Sequence, residues 1–367
     1  MKKKIIFSSL FIFLFIFINF SGCIDNLFDI PIIYEDHPIK LSYTITYGYD
    51  VVISGTGKYQ IHYNCDTPDV LNGAVTYGVL YQSDYEMIEL SNNTFISWNL
   101  TGTSSMIYKI GITADVIAES YLVSDLNGNN ALSIQEIEYF YPNIAKKYLS
   151  TQYHDDEKLL DPNDVNIKNT AQNIKNREDT ENSFLLAKAL FYWLKDKTTY
   201  KLHQGDGSVQ PAGLTYVLRT GDCDDLSFLY ISLCRAIGIP ARFIRGYLLA
   251  EDKNLHMTAT PHAWAEVFVG GGIGNDGWIP VECACCTASI EADINQNLGL
   301  ESAYHLRLFV DDGTNESLST SLAGISYEIY GSELNIDVDP IATVENYTEL
   351  LSRKLEVTKD NQRSYQK

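Results

Sequence analysis

Gly221-Asp222-Cys223-Asp224-Asp225 opens onto Leu226, Leu229, Tyr230, Leu233 and Ile237, and Gly238-Ile239-Pro240 ends the run. An acidic first turn, apolar residues at three- and four-residue spacing and a glycine stop predict a helix with Cys223 at its N-terminal end. Further on, His262-Ala263-Trp264-Ala265-Glu266-Val267-Phe268-Val269 alternates as a strand does. Gly270-Gly271-Gly272 then turns, and Gly277-Trp278-Ile279-Pro280-Val281-Glu282 runs back. Such a hairpin can hold His262 and Glu282 side by side. A cysteine at the mouth of a helix, with a histidine a short strand-loop-strand later, is what a thiol nucleophile needs.

The chemistry of these three residues is specific. The thiolate, not the thiol, is the nucleophile, so its proton needs an acceptor and the anion needs nearby positive charge. A helix N-terminus favours an anion. The carboxylates of Asp222, Asp224 and Asp225 oppose it, so Cys223 requires His262 as an ion-pair partner. A carboxylate on the far imidazole nitrogen fixes the ring and stabilises the imidazolium, the part assigned to Glu282.

The order of the pieces resembles the transglutaminase-like cysteine-enzyme superfamily. The residues that carry the resemblance are Gly221, Cys223 and Asp225; Arg235-Ala236-Ile237-Gly238-Ile239-Pro240-Ala241-Arg242; His262, Trp264 and Glu266; Gly277-Trp278; and Glu282, after a leading helix from Ala187 to Tyr200. The likeness covers about residues 183–300. It implies an α+β, papain-like catalytic core and a cysteine peptidase, amidase or acyltransferase with Cys223, His262 and Glu282 as catalytic residues. It also implies an oxyanion hole made by the Cys223 backbone N–H and an upstream donor, for which Tyr216 is the candidate by position. The family has Asp where this chain has Glu282. One extra methylene still lets the carboxylate reach the ring if the strand sits slightly farther back. Cys283, Cys285 and Cys286 follow directly, and a disulfide from this cluster to Cys223 would silence the site.

Outside the core the chain divides by pattern. Lys2-Lys3-Lys4, an apolar run from Ile5 to Ile18 and Ser21-Gly22-Cys23 read as a secretory signal over residues 1–23. The last three residues resemble a lipobox, with lipidation at Cys23; plain secretion and an uncleaved anchor are the alternatives. All three place the body outside the cytoplasm, attached to the membrane in the first and last. Residues 24–36 read as a tether. Residues 37–111 alternate with period two between turn signals, which predicts an antiparallel β-sandwich.

Residues 112–149 are similar to a single EF-hand, with helices expected over Ala114 to Val123 and Ile134 to Lys147. Asp125, Asn127, Asn129, the Ala131 carbonyl, Ser133 and Glu136 occupy the ligand positions of a twelve-residue calcium loop. Asn130 stands at its glycine position, where Asn tolerates the left-handed turn. The expectation is weak, structural Ca²⁺ binding; an ion-free polar loop is the alternative. Residues 150–182 read as a linker, 301–351 as a C-terminal extension leading to a helical tail, and 352–367 as a frayed polar end.

Composition narrows the partners. The chain has 47 acidic against 27 basic residues, a net charge of −20, which repels phosphate backbones and argues against nucleic acid. Seven cysteines fit export. Cys234 reads as a buried hydrophobe, and Cys65, Cys283, Cys285 and Cys286 could form a disulfide; their spacing is not that of a zinc site. These features point to an extracytoplasmic, membrane-tethered thiol enzyme with a peptide or protein amide as substrate. Hydrolysis is favoured over cross-linking because nothing specifies an amine acceptor site. The alternative is a catalytically inactive lipoprotein that serves binding or envelope assembly.

Overall fold

The computed structural model describes residues 31–202, 209–284 and 287–366. The expected signal segment with Cys23, most of the tether, and Cys285 and Cys286 lie outside the described residues.

Ten strands form one antiparallel sheet among the described residues. They are β1 (Ile32–Asp66), β2 (Gly73–Val79), β3 (Tyr85–Leu90), β4 (Asn93–Glu119), β5 (Ala241–Glu251), β6 (Met257–Phe268), β7 (Trp278–Val281), β8 (His305–Val310), β9 (Ser326–Val357) and β10 (Arg363–Tyr365). The order is β8-β5-β6-β9-β1-β4-β2, with β7 on β6, β10 on β9 and β3 on β4. Alternation builds the long strands. In β1, Leu41, Tyr43, Ile45, Tyr47, Val51, Ile53, Tyr59, Ile61, Tyr63 and Cys65 are buried, all at odd positions. Gly48 and Gly111 face each other across β1 and β4 at φ +140° and +150°. A Cβ at either would stand 2.1 Å from a backbone oxygen of the other strand, so both must be glycine.

Three expectations fail here for one reason: alternation identifies strands but not their partners. Residues 37–111 do not close into a sandwich of their own, because β1 lies between β4 and β9, and β9 comes from residues 326–357. The expected helical tail is this strand β9. The end expected to fray is held by Arg363, only 3% exposed, which donates to the carbonyls of Val123, Asn295 and Gly299 at 2.7–2.8 Å.

The expected entering helix of the EF-hand is also strand. Ala114, Val116 and Ala118 are buried in β4, and Tyr121–Leu122 pairs with Leu300–Glu301. Period two wins over helix propensity there because the alternate residues have a sheet core to enter.

The helices are α1 (Ile134–Phe140), α2 (Pro142–Tyr148), α3 (Val165–Glu178), α4 (Ser183–Lys197), α5 (Ala212–Leu218), α6 (Cys223–Ala236), α7 (Ile290–Asn297) and α8 (Asn315–Leu322). The presumed linker is structured: α3 puts Ile167, Ala171 and Ile174 into the same core as Leu186, Leu190 and Leu194 of α4. Helix α6 is central, buried from Asp225 to Arg235 instead of on one face. Burying Leu226, Phe228, Leu229, Ile231 and Leu233 is worth ~1.5–3 kcal/mol each, an upper bound against an extended chain. That anchorage fixes where its first residue, Cys223, points.

Candidate active site

The mouth of α6 is braced by Asp225. This fully buried carboxylate accepts from the backbone N–H of Asp222 at 3.0 Å and of Gln210 at 2.7 Å. A Cβ on Gly221 would stand 2.5 Å from Cβ of Asp225, so the Gly-x-Cys-x-Asp spacing is a packing requirement around Cys223. Cys223 is the first helical residue and partly exposed, and N–H groups of a first turn have no partner within the helix. The acids that oppose a thiolate are partly disarmed. Burial, a hydrogen bond that protonated Asp224 donates to Asp222, and the charges of Asp222 and Asp225 push Asp224 up to about 8, so it holds a proton near neutral pH. Tyr200 stands close by, because Thr199–Tyr200 pairs in parallel with Thr220–Gly221. Burial first, then the charges of Cys223, Asp222, Asp224 and Glu282, raise its hydroxyl to about 12.

The β6–β7 hairpin brings His262 to Glu282, as its pattern predicts. Nε2 of His262 donates to Oε2 of Glu282 at 2.6 Å, and the Cys223 side chain is near enough to favour the charged ring. With Nε2 taken by the carboxylate, Nδ1 is the nitrogen left for the thiol. Burial alone would disfavour the imidazolium; the charge of Glu282, the nearby Cys223 side chain and the hydrogen bond to Glu282 overcome it and push His262 up to about 10. Burial likewise acts to raise Glu282, but the charge and hydrogen bond of His262 and the hydrogen bond of His305 hold it well below the carboxylate range. His262 and Glu282 are 8% and 3% exposed, so water screens their interaction weakly.

His305 is a site residue that the sequence did not disclose. Its Nε2 donates to the same Oε2 of Glu282 at 3.0 Å, and its Nδ1 meets Ser302 Oγ at 2.9 Å. The backbone N–H of Ala284 donates to Oε1 at 2.7 Å. The longer Glu282 is therefore held at both oxygens. No motif marks His305; only the pairing of β8 with β5, Leu248 opposite His305, delivers it. His262, Glu282 and His305 present ligand atoms within 4.8 Å of one another, a set that could hold a metal ion, as could Asp222, Cys223 and Asp224. The hydrogen bonds already satisfy the first set without one.

The remaining motif residues are scaffolding. Trp264 donates from its indole to Glu301 at 3.0 Å, and Arg307 bridges Glu301 and Glu266. Arg242 donates to Glu266 at 2.7 Å and covers the Trp278 ring at 4.1 Å. Burial would raise Glu266, but Arg242 and Arg307 hold it down to about 2. Arg235 ties the helix end down through the Ala241 carbonyl at 2.7 and 2.9 Å and that of Ser150 at 2.7 Å.

Residues 168–283 match the model of the transglutaminase-like superfamily. The segment is a transglutaminase-like core. In the wider comparison, an uncharacterized protein of Haemophilus influenzae is 31% identical over 97 residues, 22% of this chain and 25% of that protein. The chain thus spans about a quarter of the length of this curated relative. A candidate cysteine protease from Cytophaga hutchinsonii superposes with a TM-score of 0.49 at 15% identity, covering 91% of this chain and all of that one. The periplasmic domain of TgpA from Pseudomonas aeruginosa gives 0.32 at 11% identity, covering 68% and 92%.

Within the transglutaminase-like core, Tyr216 does not serve as expected. Its hydroxyl is bonded to Thr170 Oγ1 at 2.9 Å, its ring is stacked with Trp193 at 5.7 Å, and the Arg219 guanidinium lies over both rings, 3.9 Å from Tyr216 and 4.9 Å from Trp193. The calcium loop also departs from expectation. Asn127 N–H donates to Asp125 and Asn129 N–H to Asn127, but the left-handed residue is Gly128, not Asn130. Ser133 caps α1, and Glu136 turns back to accept from its N–H and hydroxyl, both at 2.8 Å. With a strand where the first helix should be and Glu136 facing the cap, the residues as folded do not fit an EF-hand. Cys65, Cys234 and Cys283 are free and buried, and Cys65 lies in the sheet core, apart from the other two.

Proposed function

We propose that this protein is an exported, membrane-tethered thiol enzyme acting on amide bonds of peptides or proteins. The single observation that carries the reading is His262 hydrogen-bonded to Glu282 with its charged form favoured by the neighbouring Cys223 side chain at the mouth of α6. Cys223 Sγ attacks the carbonyl carbon and its proton passes to His262. The oxyanion forms beside the Cys223 N–H, with the Tyr200 hydroxyl as the candidate second donor in place of Tyr216. Collapse breaks the C–N bond, the leaving amine takes the proton from His262, and water then releases the acyl group as a carboxylate. Glu282 holds the ring throughout and His305 holds Glu282.

Export rests on Lys2-Lys3-Lys4, the apolar run after it and Cys23. Among the described residues no helix is long and apolar enough to cross a membrane. Calcium binding at Asp125, Asn127, Asn129 and the Ala131 carbonyl is a proposal that requires Glu136 to leave Ser133.

The test is incubation of the wild type and Cys223→Ser with an unfolded protein mixture, in water and in hydroxylamine, read by mass spectrometry. New amino termini, with hydroxamates when hydroxylamine is present, are expected of the wild type alone. Equal patterns from both proteins would end the reading in favour of a non-catalytic module.

A further inference from the structure

A cavity of about 770 Å³ reaches the residues that adjoin Cys223 and His262 in the chain. Asp224 and Pro261, their immediate neighbours in the chain, line one end of it. Tyr47, Tyr49, Tyr63 and Tyr247 line it further along, where β1 meets β5. Three of its lining residues keep buried polar atoms without a partner: Asn64 Oδ1, Asp66 Oδ1 and Arg245 Nε. Arg245 uses its other arm on Asp66 Oδ2 at 2.6 Å, so the pair is neutral and still offers one donor and one acceptor. A buried polar atom left unpaired costs about 1–3 kcal/mol, which a ligand can recover.

The backbone adds an independent observation. The pairing of β1 with β9 ends at His62 opposite Ser326, whereas Tyr63–Asp66 continue against Trp98–Phe95 of β4. Among the described strands, then, these four residues have a partner on one side only.

Resting on the thiol-enzyme reading, we infer that this cavity is a subsite for an extended peptide segment next to the scissile bond. A residue in extended conformation presents its N–H and C=O on one side, matching the adjacent Asp66 Oδ1 acceptor and Arg245 Nε donor. Asn64 lies two residues from Asp66 in the strand, a repeat of about 6.6–6.8 Å. An extended peptide repeats its same-side groups at that interval. The tyrosine rings provide faces for its side chains. The substrate is accordingly an oligopeptide with several residues on one side of the cleaved bond, not a single amino-acid amide.

The test uses the full chain carrying Cys223→Ala, with hydrogen–deuterium exchange read by mass spectrometry. The probes are a random library of acetylated, amidated dodecapeptides and, separately, N-acetyl amino-acid amides. The dodecapeptides alone should slow exchange over Tyr63–Asp66 by about tenfold or more. Gly324→Trp should abolish that protection. Gly324 lines the cavity, its backbone is open to any side chain, and the first atom an added Cβ meets is the Tyr49 hydroxyl at 3.7 Å. In an otherwise wild-type chain, Gly324→Trp should leave iodoacetamide labelling of Cys223 intact. No protection, equal protection by the amides, or protection that survives Gly324→Trp would overturn the inference. Protection in a protein that turns over no amide would instead sink the thiol-enzyme reading and leave the groove standing.

Discussion

Two buried polar clusters flank the β5–β8 pair, and they are finished differently. Around Glu282 both carboxylate oxygens are engaged, by His262, His305 and the Ala284 N–H. Around Asp66 one oxygen is paired with Arg245 while the other, together with Arg245 Nε and Asn64 Oδ1, has no partner. The closed cluster holds one ring in one orientation, which is what a proton-transfer group needs. The open cluster leaves buried hydrogen-bonding capacity unspent, which a folded chain tolerates where a ligand completes it. Preorganised chemistry and readiness to bind are thus separated in space, with Asp224 and Pro261 between them.

The hardest way to break the closed cluster is to remove its charge-bearing ring. His262→Ala is expected to lower turnover by about 10⁴-fold or more, as loss of a base that acts as a unit with its nucleophile does, measured with whichever peptide the wild type cleaves. Glu282→Gln keeps the shape and removes the charge, and a fall of up to about 10⁴-fold is expected. The same variant has a pH signature in stability. His262 is raised from 6.5 to about 10, so its contribution is full below pH 6.5 and is lost as pH rises through about 10. Glu282 is depressed from 4.5, so its contribution is full above pH 4.5 and is lost as pH falls through its lowered value. Denaturant titrations should therefore find the greatest advantage of wild type over Glu282→Gln between pH 4.5 and 6.5. An advantage that grows above pH 10 would contradict the pairing.

His305→Gln sharpens the comparison by loosening Glu282 without touching the substrate. About a tenfold fall in kcat with KM unchanged is expected, and a pH–rate profile shifted to lower pH as His262 loses part of its support. An unshifted profile would make His305 merely structural. Tyr216→Phe is the smallest expected effect: unchanged kcat and a loss of about 1 kcal/mol in stability from the bond to Thr170.

The two regions also differ in how far the sequence disclosed them. Cys223, His262 and Glu282 were legible because one helix stop and one hairpin turn fix their relation locally, and Trp264 and Gly277 punctuate it. His305 as a partner of Glu282 was not legible, because sheet order is decided by contacts remote in sequence. For the same reason β1 read as half of a local sandwich although β9 closes it. The expected calcium loop has a second physical account. Asp125 and Asn127 accept from the backbone N–H groups of Asn127 and Asn129, turns that need no ion, and Ser133 with Glu136 equally spells a capping box. The segment before it alternates and enters the sheet, which no loop motif can report.

The central claim is that His262 holds Cys223 as a charged pair. The direct measurement is iodoacetamide alkylation of Cys223, followed by peptide mass spectrometry, in wild type and His262→Ala at about pH 6, well below the ~8.5 of a free thiol. The expected result is rapid, selective labelling of Cys223 in the wild type and at least about a tenfold slower reaction in the variant, with equal labelling after denaturation. Equal rates in the two folded proteins would contradict the ion pair and, with it, the catalytic reading.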